Sequence, residues 1–212
     1  MSVEGRQVIE ANSAAGRWLT IRAVAAGLIT IFSISGCVFT TGHVKFDYPP
    51  PLPTMKIAGP HAPHIAVHVV DKRPTQILGH KINGLGMKTA DIVSDTDISV
   101  ILKNAFEAEL EERGFTLGPG GNLVEVTLVD LHNHYLRSLS PPEAIAKMSI
   151  NVRVDYLGGT VSYNKFLSAY SQMAIMPNWG VKTAQNVLNG ALRNGVSKAF
   201  NDSAFISALK KP

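Results

Sequence analysis

The chain has one cysteine in 212 residues, so no internal disulfide can staple it and any exported domain must rely on its hydrophobic core. Lysine and arginine never occur in a run of four, and no aromatic residues are interleaved with them. The formal charge of +4 therefore lends nucleic-acid binding no support beyond general basicity. The mostly apolar stretch Ala23–Ile34 is about 12 residues against the roughly 20 that a membrane-crossing helix requires, so a permanent span is the weaker reading. The serines stand in no Gly-x-Ser-x-Gly elbow, and Gly84-Leu85-Gly86 lacks the lysine and following helix of a phosphate-binding loop. These absences argue against acyl-transfer and nucleotide-dependent chemistry, and we expect no catalytic residue, no cofactor and no bound metal.

What is present begins with the core. Hydrophobic residues make up 45% of the chain and charged residues 17%, enough apolar surface for one domain and no sign of global disorder. The position of the cysteine is informative. Ala23 to Ile34 is uncharged and mostly apolar over about 12 residues, the length of a signal-peptide core rather than of a span. It runs into Ile34-Ser35-Gly36-Cys37, an aliphatic residue and two small ones before a cysteine, which resembles the bacterial lipobox. That resemblance implies a leader, residues 1–36, removed before Cys37, and a diacylglyceryl group on the Cys37 thiol. Each buried methylene is worth about 0.8 kcal/mol and two chains anchor stably, so membrane attachment needs no spanning helix. Cleavage removes Arg6, Arg17 and Arg22 with Glu4 and Glu10, leaving about +3. Val38 stands where an aspartate would retain such a protein at the inner membrane. By the same resemblance this points to the outer membrane, with the domain facing the periplasm.

Residues 37–63 carry Pro49-Pro50-Pro51, Pro53, Pro60 and Pro63, which remove backbone donors and fix φ, and they read as an extended tether. A single domain, 64–212, follows. His64 to Val70 is a β-branched run bounded by Pro63 and Asp71-Lys72-Arg73-Pro74, a first buried strand. Gly79, Asn83, Gly84 and Gly86 punctuate the next segment, which reads as a loop with one short strand. Ile98, Ile101, Leu102, Ala105, Phe106 and Leu110 repeat at helical spacing behind the cap candidates Ser94, Asp95 and Asp97, and Gly114 ends that helix. Leu123 to Leu131 is a long strand, and Met148 to Tyr156 alternates apolar with polar residues. Gly158-Gly159 then turns the chain into a strand from Val161 to Tyr170. A helix from Val181 and a short docked helix from Phe205 close the chain. The order predicts an α+β fold: a mixed, mostly antiparallel sheet of about four to five strands with two main helices packed on one face.

The strand ending Val69-Val70-Asp71-Lys72-Arg73, the helix closing Glu111-Glu112-Arg113-Gly114-Phe115 and the Gly118-Pro119-Gly120-Gly121 turn before a strand, taken with the lipobox, resemble the YajG-like lipoproteins over about residues 65–209. The resemblance implies an envelope lipoprotein with a sheet-plus-helices domain, and it brings no catalytic residues to carry over.

The candidate sites are surfaces. Asp71 and Arg73 close the first strand, where they either pair structurally or meet a partner. Leu136, Leu139, Met176 and Trp179 put apolar side chains into connecting regions, a pattern of binding surfaces as well as of loops that cover a core. Asp130, His132 and His134 share a strand face but fall short of a metal site. The leading expectation is a membrane-anchored, non-catalytic module that contacts an envelope protein and no nucleic acid. The alternative is a periplasmic carrier or sensor of an apolar ligand such as a lipid, held in a cavity lined by Met148, Ile150, Phe166 and the C-terminal helix.

Overall fold

The computed structural model describes residues 39–137, 141–156, 159–175 and 180–211. Seven strands are present among them: β1 (Gly42–Val44), β2 (Ile65–Asp71), β3 (Gly79–Ile82), β4 (Lys88–Ser94), β5 (Asn122–Leu136), β6 (Glu143–Asp155) and β7 (Val161–Ala174). The helices are α1 (Ile98–Glu112), α2 (Val181–Phe200) and α3 (Ser203–Lys210). The strands form two sheets rather than one, in the orders β2-β5-β6-β7 and β1-β4-β3. β2 is parallel to β5, β1 is parallel to β4, and the other pairs are antiparallel, so the α+β class is mixed as expected.

The larger sheet follows from alternation. Val124, Val126 and Leu128 of β5 and Met148, Ile150, Val152 and Val154 of β6 are buried toward the helices, and the residues between them face the other way. A bulge between Leu128 and Asp130 resets the phase, so Leu131 and Asn133 continue the buried row. Each fully buried Leu or Ile in this row contributes roughly 1.5–3 kcal/mol. The hairpin from β6 to β7 closes with Gly159 at φ +85°, where its amide donates to Tyr156 O at 2.9 Å. That left-handed backbone is what Gly159 supplies.

The helices interlock through aromatic rings. Phe106 of α1 lies 5.5 Å from Phe200 of α2, Phe200 lies 5.4 Å edge-on from Phe205 of α3, and Phe205 lies 5.4 Å from Tyr163 of β7. Asp97 caps α1 by accepting from Ser99 N at 2.8 Å. α2 contains Gly190 and Gly195, each of which would weaken an isolated helix. A Cβ at Gly190 would stand 2.2 Å from Ser171 Oγ, and one at Gly195 would stand 2.8 Å from Met148 Sδ. The glycines are therefore where the helix backbone lies directly on the sheet.

Two local expectations differ from the fold. The glycine-punctuated segment is not a loop with one strand but the β3–β4 hairpin. It joins the larger sheet where Asn133 N donates to Leu78 O at 2.6 Å and the Asn133 side chain lies against Gly79. The proline-rich segment is docked rather than free from Gly42 onward. β1 pairs with β4, Tyr48 Oη donates to Glu109 Oε1 at 2.6 Å, and Ile57 N donates to Arg113 O at 2.9 Å. Glu109 is only 8% exposed and is also paired with Arg113, whose guanidinium lies 4.5 Å from the Phe200 ring centre. Burial and the Glu109 carboxylate hold the Tyr48 phenol well above its ordinary value.

Candidate partner-binding surface

β2 ends on Asp71, and the chain turns back so that Arg73 clamps it. Arg73 Nη2 donates to Asp71 Oδ2 at 2.7 Å and to Gln76 Oε1 at 2.9 Å, and the Arg73 backbone N–H donates to Asp71 Oδ1 at 3.0 Å. Burial pushes the Asp71 carboxyl up, but the Arg73 hydrogen bonds and charge and the contact with Gln76 outweigh it and hold the carboxyl below its usual range. The Arg73 side chain is 2% exposed, so it fixes the end of the strand and is not presented to a partner. Its Nη1 is buried without a hydrogen bond among the described residues.

Beside this clamp, β2 is an edge strand. Ile65 sends both its N–H and its C=O away from β5, to Thr116 O at 2.9 Å and from Gly118 N at 3.0 Å. Lys72 N–H points the other way, to Leu128 O at 2.9 Å. By alternation the backbone groups of Val67, Val69 and Asp71 also point outward. The Leu117 segment covers only the first of these positions, and Val67 and Val69 have no outward hydrogen-bond partner among the described residues. A cleft of about 780 Å³ runs along this edge, bounded by His68 to Asp71, Gln76, Val93 to Asp97 and Ser99. Asp71, Asp95 and Asp97 give it three carboxylates, Asp95 also holding His43 Nδ1 at 2.8 Å. The sequence offered Asp95 and Asp97 only as helix caps, and no local signal marks Val67 or Val69 as edge positions.

At the opposite edge of the sheet, α2 runs antiparallel to β7 and touches it at four-residue intervals. Gly190 lies against Ser171, Asn194 Nδ2 donates to Tyr170 O at 2.7 Å, and Lys198 Nζ donates to Ser168 O at 2.9 Å. Asp202 then accepts from Lys165 Nζ at 2.7 Å and Tyr163 Oη at 3.0 Å. Four helical residues advance about 6 Å and two strand residues about 6.7 Å, so the step from Asn194 to Lys198 matches that from Tyr170 to Ser168. Lys165 above all, helped by the backbone of Ala204 and the Tyr163 hydroxyl, holds the Asp202 carboxyl below its ordinary value against the upward push of burial.

The face of this sheet away from the helices carries exposed Phe166 (57%) and Tyr170 (58%), beside Asn151 and Lys147 in register. Asp130, His132 and His134 lie on the same face. Asp130 Oδ1 meets His132 Nδ1 at 2.7 Å and the two imidazoles stand 5.9 Å apart. Burial and the neighbouring His132 lower the His134 value. Among the described residues no three His, Cys, Asp or Glu side chains converge for a metal ion. Leu136 is half-buried at the end of β5, in register with Glu143. Leu136 is therefore in a strand and not, as expected, in a connecting region, because β5 runs on past its bulge in register with β6, while Leu139, Met176, Trp179, Ile34, Ser35, Gly36 and Cys37 lie outside the described residues.

No described helix is long and apolar enough to cross a membrane. The protein is a lipoprotein of the cell envelope by class. The pattern of the family described as uncharacterized lipoproteins matches residues 50–210, and the chain belongs to that YajG-like family. No curated protein matches it. Among solved structures, a protein from Xanthomonas campestris is 9% identical with a TM-score of 0.49, covering 75% of this chain and 91% of that one. A candidate lipoprotein from Caulobacter crescentus is 14% identical with a TM-score of 0.42, covering 69% and 93%. Lipoprotein GNA1162 from Neisseria meningitidis is 11% identical with a TM-score of 0.37, covering 66% and 99%.

Proposed function

We propose that the protein is a non-catalytic accessory module, lipid-anchored through Cys37 at the outer membrane, that holds another envelope protein from its periplasmic side. The observation that carries this reading is the contrast between a filled interior and an unpaired outer strand. Met148 and Ile150 are fully buried, and the helix backbone presses on Met148 at Gly195. Phe166 is on the opposite face of the sheet, so the cavity that an apolar-ligand carrier would need between these three residues and α2 is already occupied by packing. The outward groups of Val67 and Val69, unpaired among the described residues, lie on the rim of the sheet, and an open cleft borders that rim from His68 to Asp71.

Two measurements test the reading. In a Gram-negative host, the wild type is expected to start at Cys37 with added acyl mass and to float with outer membranes, and Cys37→Ser to do neither. Unprocessed chains in the inner membrane for both would refute the anchor. A membrane-permeable lysine crosslinker applied to intact cells is expected to give a discrete adduct with another envelope protein. Recovery of the chain without any protein adduct would refute the module.

A further inference from the structure

We propose that the partner docks by adding an extended, basic segment as a fifth strand along the outer edge of β2, in the cleft beside Asp71, Asp95 and Asp97. This rests on the interaction-module reading and gives that partner a chemistry. An edge strand with unsatisfied N–H and C=O groups is a template for another strand, and main-chain hydrogen bonds supply affinity while alternate side chains supply specificity. The outward groups from Val67 to Asp71 span about 13 Å, room for an extended segment of roughly five residues lying about 4.8 Å from β2.

Four features select this edge. The opposite edge has its Tyr170 and Ser168 carbonyls already taken by α2, so a strand added there would have to displace two side-chain bonds. The start of β2 is closed by Leu117, which sets where an added strand must begin. Asp71 is already neutralised by Arg73, but Asp95, which meets only the His43 imidazole, and Asp97 leave the cleft acidic, so lysine or arginine side chains on the incoming segment meet complementary charge. The clamp between Asp71 and the buried Arg73 holds the last outward residue in its extended form before any partner arrives, which lowers the ordering cost of docking.

The test uses the full-length chain in intact cells with a photo-crosslinking residue at Thr96, an exposed position on the far wall of the cleft. The probe is expected to capture another envelope protein. Val69→Pro removes an outward N–H and blocks strand addition, and it takes no hydrogen bond from the β2–β5 ladder, where edge prolines are tolerated. Capture is expected to fall at least tenfold in this variant. Asp95→Lys, in the loop after β4, is expected to lower capture several-fold and decides the matter if Val69→Pro fails to fold. Capture unchanged in either folded variant would overturn the proposal, as would a Thr96 adduct with lipid or with a second copy of this chain. A lysine-crosslinked partner with no Thr96 adduct would overturn the edge site while leaving the module reading intact. The absence of both adducts would overturn the two together.

Discussion

Along β7 the outward carbonyls of Ser168 and Tyr170 are bonded to Lys198 and Asn194, whereas along β2 the outward groups of Val67 and Val69 meet no partner among the described residues. Both strands belong to the same sheet and both border helices, so the difference is made by the helices' side chains. α2 places Gly190, Asn194 and Lys198 four residues apart on the stripe that faces its strand, and Asp202, just beyond its end, binds Lys165. α1 instead sends Leu102, Phe106 and Leu110 into the core and leaves the strand's rim alone. Natural sheets commonly protect their edges, and a domain that protects one long edge while leaving a short one beside a charged cleft has separated solubility from recognition.

The largest expected effect comes from the open edge. Asp71→Ala leaves the Arg73 guanidinium buried without its counter-ion and should cost about 3 kcal/mol. Urea unfolding checks it, and a loss under about 1 kcal/mol would mean that the clamp does not hold the end of β2. Next is the closed edge, where Gly190→Val pushes a side chain into Ser171 and should cost about 1–3 kcal/mol. An unchanged melting temperature would show that α2 is not pressed on β7 at that point.

A milder change should convert one kind of edge into the other. Asn194→Ala with Lys198→Ala removes both caps from β7, costs about 1 kcal/mol because the groups are exposed, and frees a 14-residue edge. Concentration-dependent dimers should then appear in light scattering, and a strictly monomeric double variant would break the comparison.

The smallest effect is acid-linked. The folded value of Asp202 is depressed below its unfolded value of about 3.9. Its stabilising contribution is therefore present above the unfolded value and lost as pH falls through the folded one. Wild type should exceed Asp202→Asn in stability at about pH 6, and the gap should close toward about pH 3. A gap that is independent of pH would remove the Asp202 carboxylate from the β7 contact.

The legible part of the fold lay in periodicity. The alternation of Met148, Ile150, Val152 and Val154, the helical spacing from Ile98 to Leu110 and the turn at Gly159 each depend on neighbours in sequence, and each element formed where its pattern stood. The second sheet was not legible because its reasons are distant. β1 is three residues long and acquires a partner only in β4, some 50 residues on. Gly79 reads as a loop residue until Asn133 lies against it. Gly190 and Gly195 weaken a helix on paper and become contact points once Ser171 and Met148 are beneath them. The surface divides in the same way. Asp71 and Arg73 announced a local pair, but their burial needed the whole strand end. The openness of β2 depends on which strand occupies the rim, and no single segment encodes that.

The most direct measurement sets the two edges against each other in the same cells, with the photo-crosslinking residue at Thr96 beside β2 in one strain and at Phe166 on β7 in another. Protein adducts at Thr96 at least ten times as abundant as those at Phe166 are the predicted result. Equal yields, or a higher yield at Phe166, would contradict the assignment of β2 as the strand left open for a partner.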